Sequence, residues 1–160
     1  IYEGTNGVQA MDLLGRKVVR NGGETVHTFI KNVRETINTL DTNEPSQLSI
    51  SSHLSNSLDA LETAVAWMVE TFPNQPGQAA AGATSFLEMM GLISGGWMLA
   101  RGVIEANIQL KSEQGDTNFL NSKIKTAQYF AHAHLSRTPS LLYPITGCGD
   151  CVMEFEASNY

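Results

Sequence analysis

A chain of 160 residues, with 42% hydrophobic and 16% charged side chains, is long enough to bury a core of its own and too apolar to be disordered. Its formal net charge of −6, with ten basic residues scattered along the chain, excludes a basic stripe that could neutralise nucleic-acid phosphates. The most apolar run, Met89 to Ala100, is too short for a membrane span and contains Ser94 and three glycines; the two cysteines, both late, suit a reducing compartment and not a disulfide scaffold.

The opening stretch, Ile1-Tyr2-Glu3-Gly4-Thr5-Asn6-Gly7, sets one carboxylate between an aromatic residue and a glycine, then turns into apolar residues at helical spacing: Val8, Met11, Leu14 and Val18. That order reads as extended chain, tight turn and helix N-terminus, with Thr5 or Asn6 as N-cap. A helix start of this kind presents free N–H donors and partial positive charge, suited to an anion. Read from spacing alone, Glu3 is an acidic residue that complements the helix dipole, and Gly4 to Gly7 are a cap.

The first helix is expected from about Asn6 to Arg20, stopped by Asn21-Gly22-Gly23. A second fits Glu24 to Leu40, with Val26, Phe29 or Ile30, Val33, Ile37 and Leu40 inward and His27, Lys31, Arg34, Glu35 and Asn38 outward. Pro45 suits the first turn of a third helix, expected from about Ser46 or Leu48 to Phe72 along the seam Leu54, Leu58, Leu61, Val65, Met68 and Phe72. The fourth, Ala79 to Lys111, carries two apolar seams, one through Phe86, Ile93 and Trp97 and one through Met89, Gly96 and Val103, and must touch more than one partner. Its glycines 91, 95, 96 and 102 each weaken the helix, which is understandable if each admits a close neighbour. A fifth helix runs from Thr117 to Arg137, and Ser140 to Tyr160 lacks periodicity and is expected to be mostly irregular, packing through Leu141, Leu142 and Tyr143. The fold class is therefore all-α: an antiparallel bundle of four main helices preceded by one helix.

Cys148-Gly-Asp-Cys151 lacks the two further ligands of a zinc site. His132 and His134, two apart on a helix, point to different faces, so no metal is expected; the cysteines read as incidental, with a redox dithiol as the alternative. His27 and His53 read as solvated helix residues, and Trp67 and Trp97 as core or bundle contacts.

Tyr2-Glu3-Gly4-Thr5, then Gln9 and an apolar helix, resembles the active-site signature of the acyl-CoA dehydrogenase family. The extended form from Ile1 to Lys17 followed by Asn21-Gly22-Gly23, together with the runs Phe86 to Ala106 and Lys123 to Ala131, is similar to the subgroup with an appended C-terminal helical domain. The resemblance implies that 1–23 end the catalytic region, 24–137 form the appended bundle and 138–160 a tail. It implies that Glu3 removes the α-proton of an acyl-CoA while a β-hydride leaves to FAD, that Gly4 neighbours the substrate, and that Thr5, Asn6 and Gly7 contact FAD. At Gly7 many relatives carry a longer polar side chain, so contact there must be through backbone. The chain is then expected to be a C-terminal fragment of a larger, cytoplasmic bacterial flavoenzyme, inactive alone. Its expected partners are the acyl-CoA substrate, the remainder of the parent enzyme, further copies in a homo-oligomer, and an electron-transfer flavoprotein as acceptor. The rival reading is a non-catalytic helical module for interaction or oligomerisation. Kinship to a DNA-binding relative is disfavoured by the acidic balance.

Overall fold

The structure, a computed structural model, describes residues 5–155, and among them every regular element is a helix. The expected all-α bundle is present. Helix α1, Asn6–Asp12, runs into a wide π turn, Leu13–Val18, where Val19 N–H donates to Leu14 O five residues back, and then a 3-10 turn, Val19–Asn21. The widened winding departs from the single regular helix expected over 6–20, yet Ala10, Leu14 and Val18 all reach the core. Gly22 and Gly23 end the segment at φ 63° and 85°. At Gly23 a Cβ would also lie 2.9 Å from Val65 Cγ1, so this glycine lets the chain turn against α3.

Helix α2, Glu24–Ile37, buries Val26, Ile30, Val33 and Ile37, and Leu40 follows in the turn. Helix α3, Pro45–Thr71, begins with Pro45 in its first turn and buries the expected seam from Leu54 to Met68. The two form an antiparallel hairpin. Arg34 reaches Asp59 at 2.9 Å and Glu62 at 3.1 Å, while buried Gln47 accepts from the Asp41 N–H through its side-chain oxygen.

The helix expected over 79–111 is divided into α4, Pro76–Ala81, and α5, Ala83–Lys111. The break at Gly82 has a tertiary cause: a Cβ there would lie 2.5 Å from Ile145 O and 2.8 Å from Ile145 Cα, so only glycine admits that backbone. Both predicted seams of α5 contribute to the core, through Phe86, Ile93 and Ala100 from one and Met89, Gly96 and Val103 from the other. Close approach holds at Gly95, against Phe130, and at Gly96, against Leu135; it fails at Gly91 and Gly102, which face open space.

Helix α6, Thr117–Ala133, starts at Asp116, whose carboxylate accepts from the N–H groups of Asn118 at 2.8 Å and Phe119 at 3.2 Å. It lies antiparallel to α5, but it stops short of Arg137. The chain continues as a 3-10 segment, Leu135–Leu141, then α7, Leu142–Thr146, and α8, Gly149–Met153. The expectation of a mostly irregular tail is therefore wrong for residues 140–153. Short helices leave too few turns for periodicity to register. Ile145, and not exposed Tyr143, is the main anchor; Leu141 and Leu142 are half-buried as expected.

The pairing of elements is offset along the bundle. Thr36, one residue from the end of α2, meets Trp97, which is fourteen residues from the end of α5. About 20 Å of α5 therefore continues beyond that contact, with α6 beside it.

Candidate functional site

Glu3 and Gly4, the expected base and substrate neighbour, lie outside the described residues. Thr5, Asn6 and Gly7 form the exposed N-terminal edge of α1. Thr5 occupies the N-cap position, but its side chain makes no cap bond; its carbonyl accepts from Gln9 N–H at 2.9 Å. The expected side-chain capping by Thr5 is therefore absent, leaving its hydroxyl uncommitted to the helix. Around Gly7 no atom lies within 4 Å of where a Cβ would stand, so its backbone is open to close approach. This edge thus presents an exposed hydroxyl and accessible backbone.

What fixes this edge is the other side of α1. Ala10, Leu14 and Val18 are buried and α1 lies against α5, while Val8 and Met11 remain 65% and 44% exposed. Asp12 and Arg16 form an i,i+4 ion pair at 2.8 Å on the solvent side. The start of α1 is thus held by the bundle and faces away from it.

A second polar feature escaped the sequence reading. A groove of about 900 Å³ lies between α2 and α5, lined in part by Glu35, Thr36, Trp97, Arg101 and Glu105. Trp97 Nε1 donates to Thr36 Oγ1 at 2.7 Å, its ring and that of Phe29 meet at 90° with centroids 5.5 Å apart, and the Arg101 guanidinium lies over the Trp97 ring at 5.7 Å. Trp97 is a bundle contact as expected; the i,i+4 spacing to Arg101 was the available signal for the rest.

Among the histidines, His27 is exposed, as expected, but His53 is not simply solvated. Its ring meets His132 at a centroid distance of 5.3 Å, and His132 Nε2 lies 2.9 Å from Ser49 Oγ. Burial, with the His132 charge second, lowers the His53 pKa from its ordinary value. The Arg34 guanidinium shifts upward, chiefly through its hydrogen bond to Asp59. His134 contacts Tyr129 and Phe130, so the two α6-end histidines do diverge. Cys148 and Cys151 are both free thiols at the start of α8, where Gln78 of α4 donates to Asp150. No cluster of three or more His, Cys, Asp or Glu suited to a metal occurs among the described residues, and no helix among them is long and apolar enough to cross a membrane.

Residues 29–156 match the family described as Acetyl-CoA dehydrogenase C-terminal like. The chain is also 34% identical over 153 residues to 3-methylmercaptopropionyl-CoA dehydrogenase of Ruegeria pomeroyi, a match that covers 96% of this chain and 26% of that protein. The chain thus spans about a quarter of the length of this relative. With the family match running from the middle of α2 to beyond α8, the chain belongs to the Acetyl-CoA dehydrogenase C-terminal like family.

Proposed function

We propose that this chain is the C-terminal portion of an FAD-dependent acyl-CoA dehydrogenase that oxidises the α,β bond of an acyl-CoA thioester. Glu3 takes the α-proton onto a carboxylate oxygen, Gly4 adjoins the substrate, and Thr5, Asn6 and Gly7 hold the cofactor edge. The observation that carries this reading is the Tyr2-Glu3-Gly4-Thr5 segment leading into a helix, in a chain that belongs to this family. The named relative is a dehydrogenase of a CoA thioester, and this chain corresponds to about a quarter of it, which supports a longer parent enzyme.

When bound, FAD supplies the acceptor for the hydride that leaves the β-carbon. The chain's own contribution is position and proton affinity. A base that works near neutrality needs its carboxylate pKa raised, and burial beside apolar substrate does this by disfavouring the charged form. The exposed hydroxyl of Thr5 and the open backbone at Gly7 suit polar cofactor atoms. The bundle carries no chemistry of its own in this reading: it holds α1 through Ala10, and the π turn that follows through Leu14 and Val18, and serves structure or oligomerisation. The enzyme would act in the bacterial cytoplasm and pass electrons to an electron-transfer flavoprotein.

In the full-length enzyme, Glu3→Gln should lower kcat by about 10²- to 10⁴-fold while FAD still co-purifies. Unchanged turnover would remove Glu3 as the base. The second reading, a non-catalytic assembly module, draws on the exposed face of α5 that begins at the groove between α2 and α5.

A further inference from the structure

Helix α5 is apolar on more than one side, which ordinarily marks a helix covered all round. One of its faces, which begins along the groove shared with α2, is nevertheless exposed. Met98, Arg101, Glu105 and Ile108 follow one another at intervals of three, four and three, and all four are exposed, Met98 by 46% and Ile108 by 56%. That spacing places them on one stripe, the spacing of a coiled-coil seam. Ser94 and Ser112 continue the stripe by a turn in each direction.

The charges on this stripe have no ion-pair partners of their own among the described residues. Arg101 lies 3.9 Å from the Met98 sulfur and over the Trp97 ring, and forms no ion pair among the described residues. Glu105 accepts a hydrogen bond from Gln109 at 2.8 Å and forms no ion pair. Beside them Gly102 leaves open space where a Cβ would stand, so another helix can come close.

The order along the stripe is self-complementary. Read from either end it runs hydroxyl, apolar, charge, opposite charge, apolar, hydroxyl. A second α5 laid antiparallel sets Met98 of each copy against Ile108 of the other, and Arg101 of each against Glu105 of the other, as an isologous two-fold contact requires. A parallel arrangement would instead set Arg101 on Arg101 and Glu105 on Glu105, which like-charge repulsion opposes. A partner without matching charges would leave Arg101 and Glu105 unpaired.

We propose that two copies of this chain associate through an antiparallel α5–α5 seam centred between Arg101 and Glu105. The proposal rests on the assembly role given to the bundle above and deepens it by naming surface, symmetry and register. It does not depend on Glu3. The readout is mass and not turnover, so failure of the seam and failure of the catalytic reading are separable.

The test is sedimentation velocity or light scattering on the 160-residue chain and its charge variants, with a thermal melt confirming that each is folded. The wild-type chain should reach twice its 17.4 kDa. Arg101→Glu alone, or Glu105→Arg alone, places like charges twice across the seam and should weaken the dimer by about 100-fold or more. Mixing the two variants should restore it, because each variant then meets opposite charge at both positions. The proposal is overturned by a wild-type chain that stays monomeric up to about 100 µM, well above a micromolar dissociation constant. It is equally overturned by single variants that dimerise normally, or by a mixture of folded variants that fails to recover.

Discussion

The Trp97 indole N–H donates to Thr36 Oγ1 at 2.7 Å, and this bond sets the register of α5 on α2. It pairs the end of α2 with the middle of α5, so the later turns of α5 continue past that contact. Replacing Thr36 with Val should leave the half-buried indole donor without its acceptor and cost about 1–3 kcal/mol. Trp97→Phe removes the donor as well and keeps an aromatic ring near Phe29, so Thr36→Val added to it should cost less than Thr36→Val alone. Urea denaturation of the two single variants and the double variant checks that non-additivity.

Two glycines on neighbouring helical stretches should respond to alanine in opposite directions. At Gly91 nothing lies within 4 Å of the new Cβ, so Gly91→Ala should stabilise by about 0.5–1 kcal/mol through helix propensity. At Gly82, the cap between α4 and α5, the Cβ meets the Ile145 backbone, which cannot swing aside, so Gly82→Ala should destabilise. Thermal melts decide both; a stabilised Gly82→Ala would mean that α7 does not pack on the α4–α5 junction.

Asp116 closes the start of α6 with two hydrogen bonds to backbone N–H groups. Asp116→Ala should cost about 1 kcal/mol, and Asp116→Asn or Asp116→Ser much less, since each retains an acceptor. The comparison of melting temperatures separates capping from charge.

The contact of His53 with His132 implies a pH dependence of stability. The folded-state pKa of His53 lies below its ordinary value of 6.5, chiefly because burial disfavours the charged ring. The unfolded chain therefore binds the proton more readily, and stability contributed by this site is present above 6.5 and is lost as pH falls through the lower folded value. His132 faces His53 and adds repulsion when charged, while Ser49 sits on His132. His53→Gln should flatten the loss of melting temperature between about pH 7 and pH 5. An unchanged slope would assign the loss to other groups.

Much of the bundle was legible in the sequence because its signals are local. The α3 seam, Pro45 at a helix start and the glycine pair after α1 each act within a few residues. What could not be read is set by distant partners. Nothing near Gly82 says that Ile145 will lie against it, and nothing in His53 announces His132 across the bundle. The same holds for the surface: Trp97 and Ile104 could be assigned to an inward seam, but which side of α5 stays open depends on where α2 packs. The candidate site was legible only as a resemblance carried by Tyr2 to Thr5, and the structure adds that the neighbouring Thr5, Asn6 and Gly7 form an exposed edge anchored through Ala10, Leu14 and Val18.

The catalytic reading of Glu3 is tested most directly by mixing the full-length enzyme with an acyl-CoA under anaerobic conditions and following the flavin absorbance. The wild-type enzyme should bleach on mixing. The Glu3→Gln enzyme, loaded with FAD to the same extent, should bleach slower by about 10²-fold or more, because no group is left to accept the α-proton. Bleaching of the variant at the wild-type rate would contradict the account.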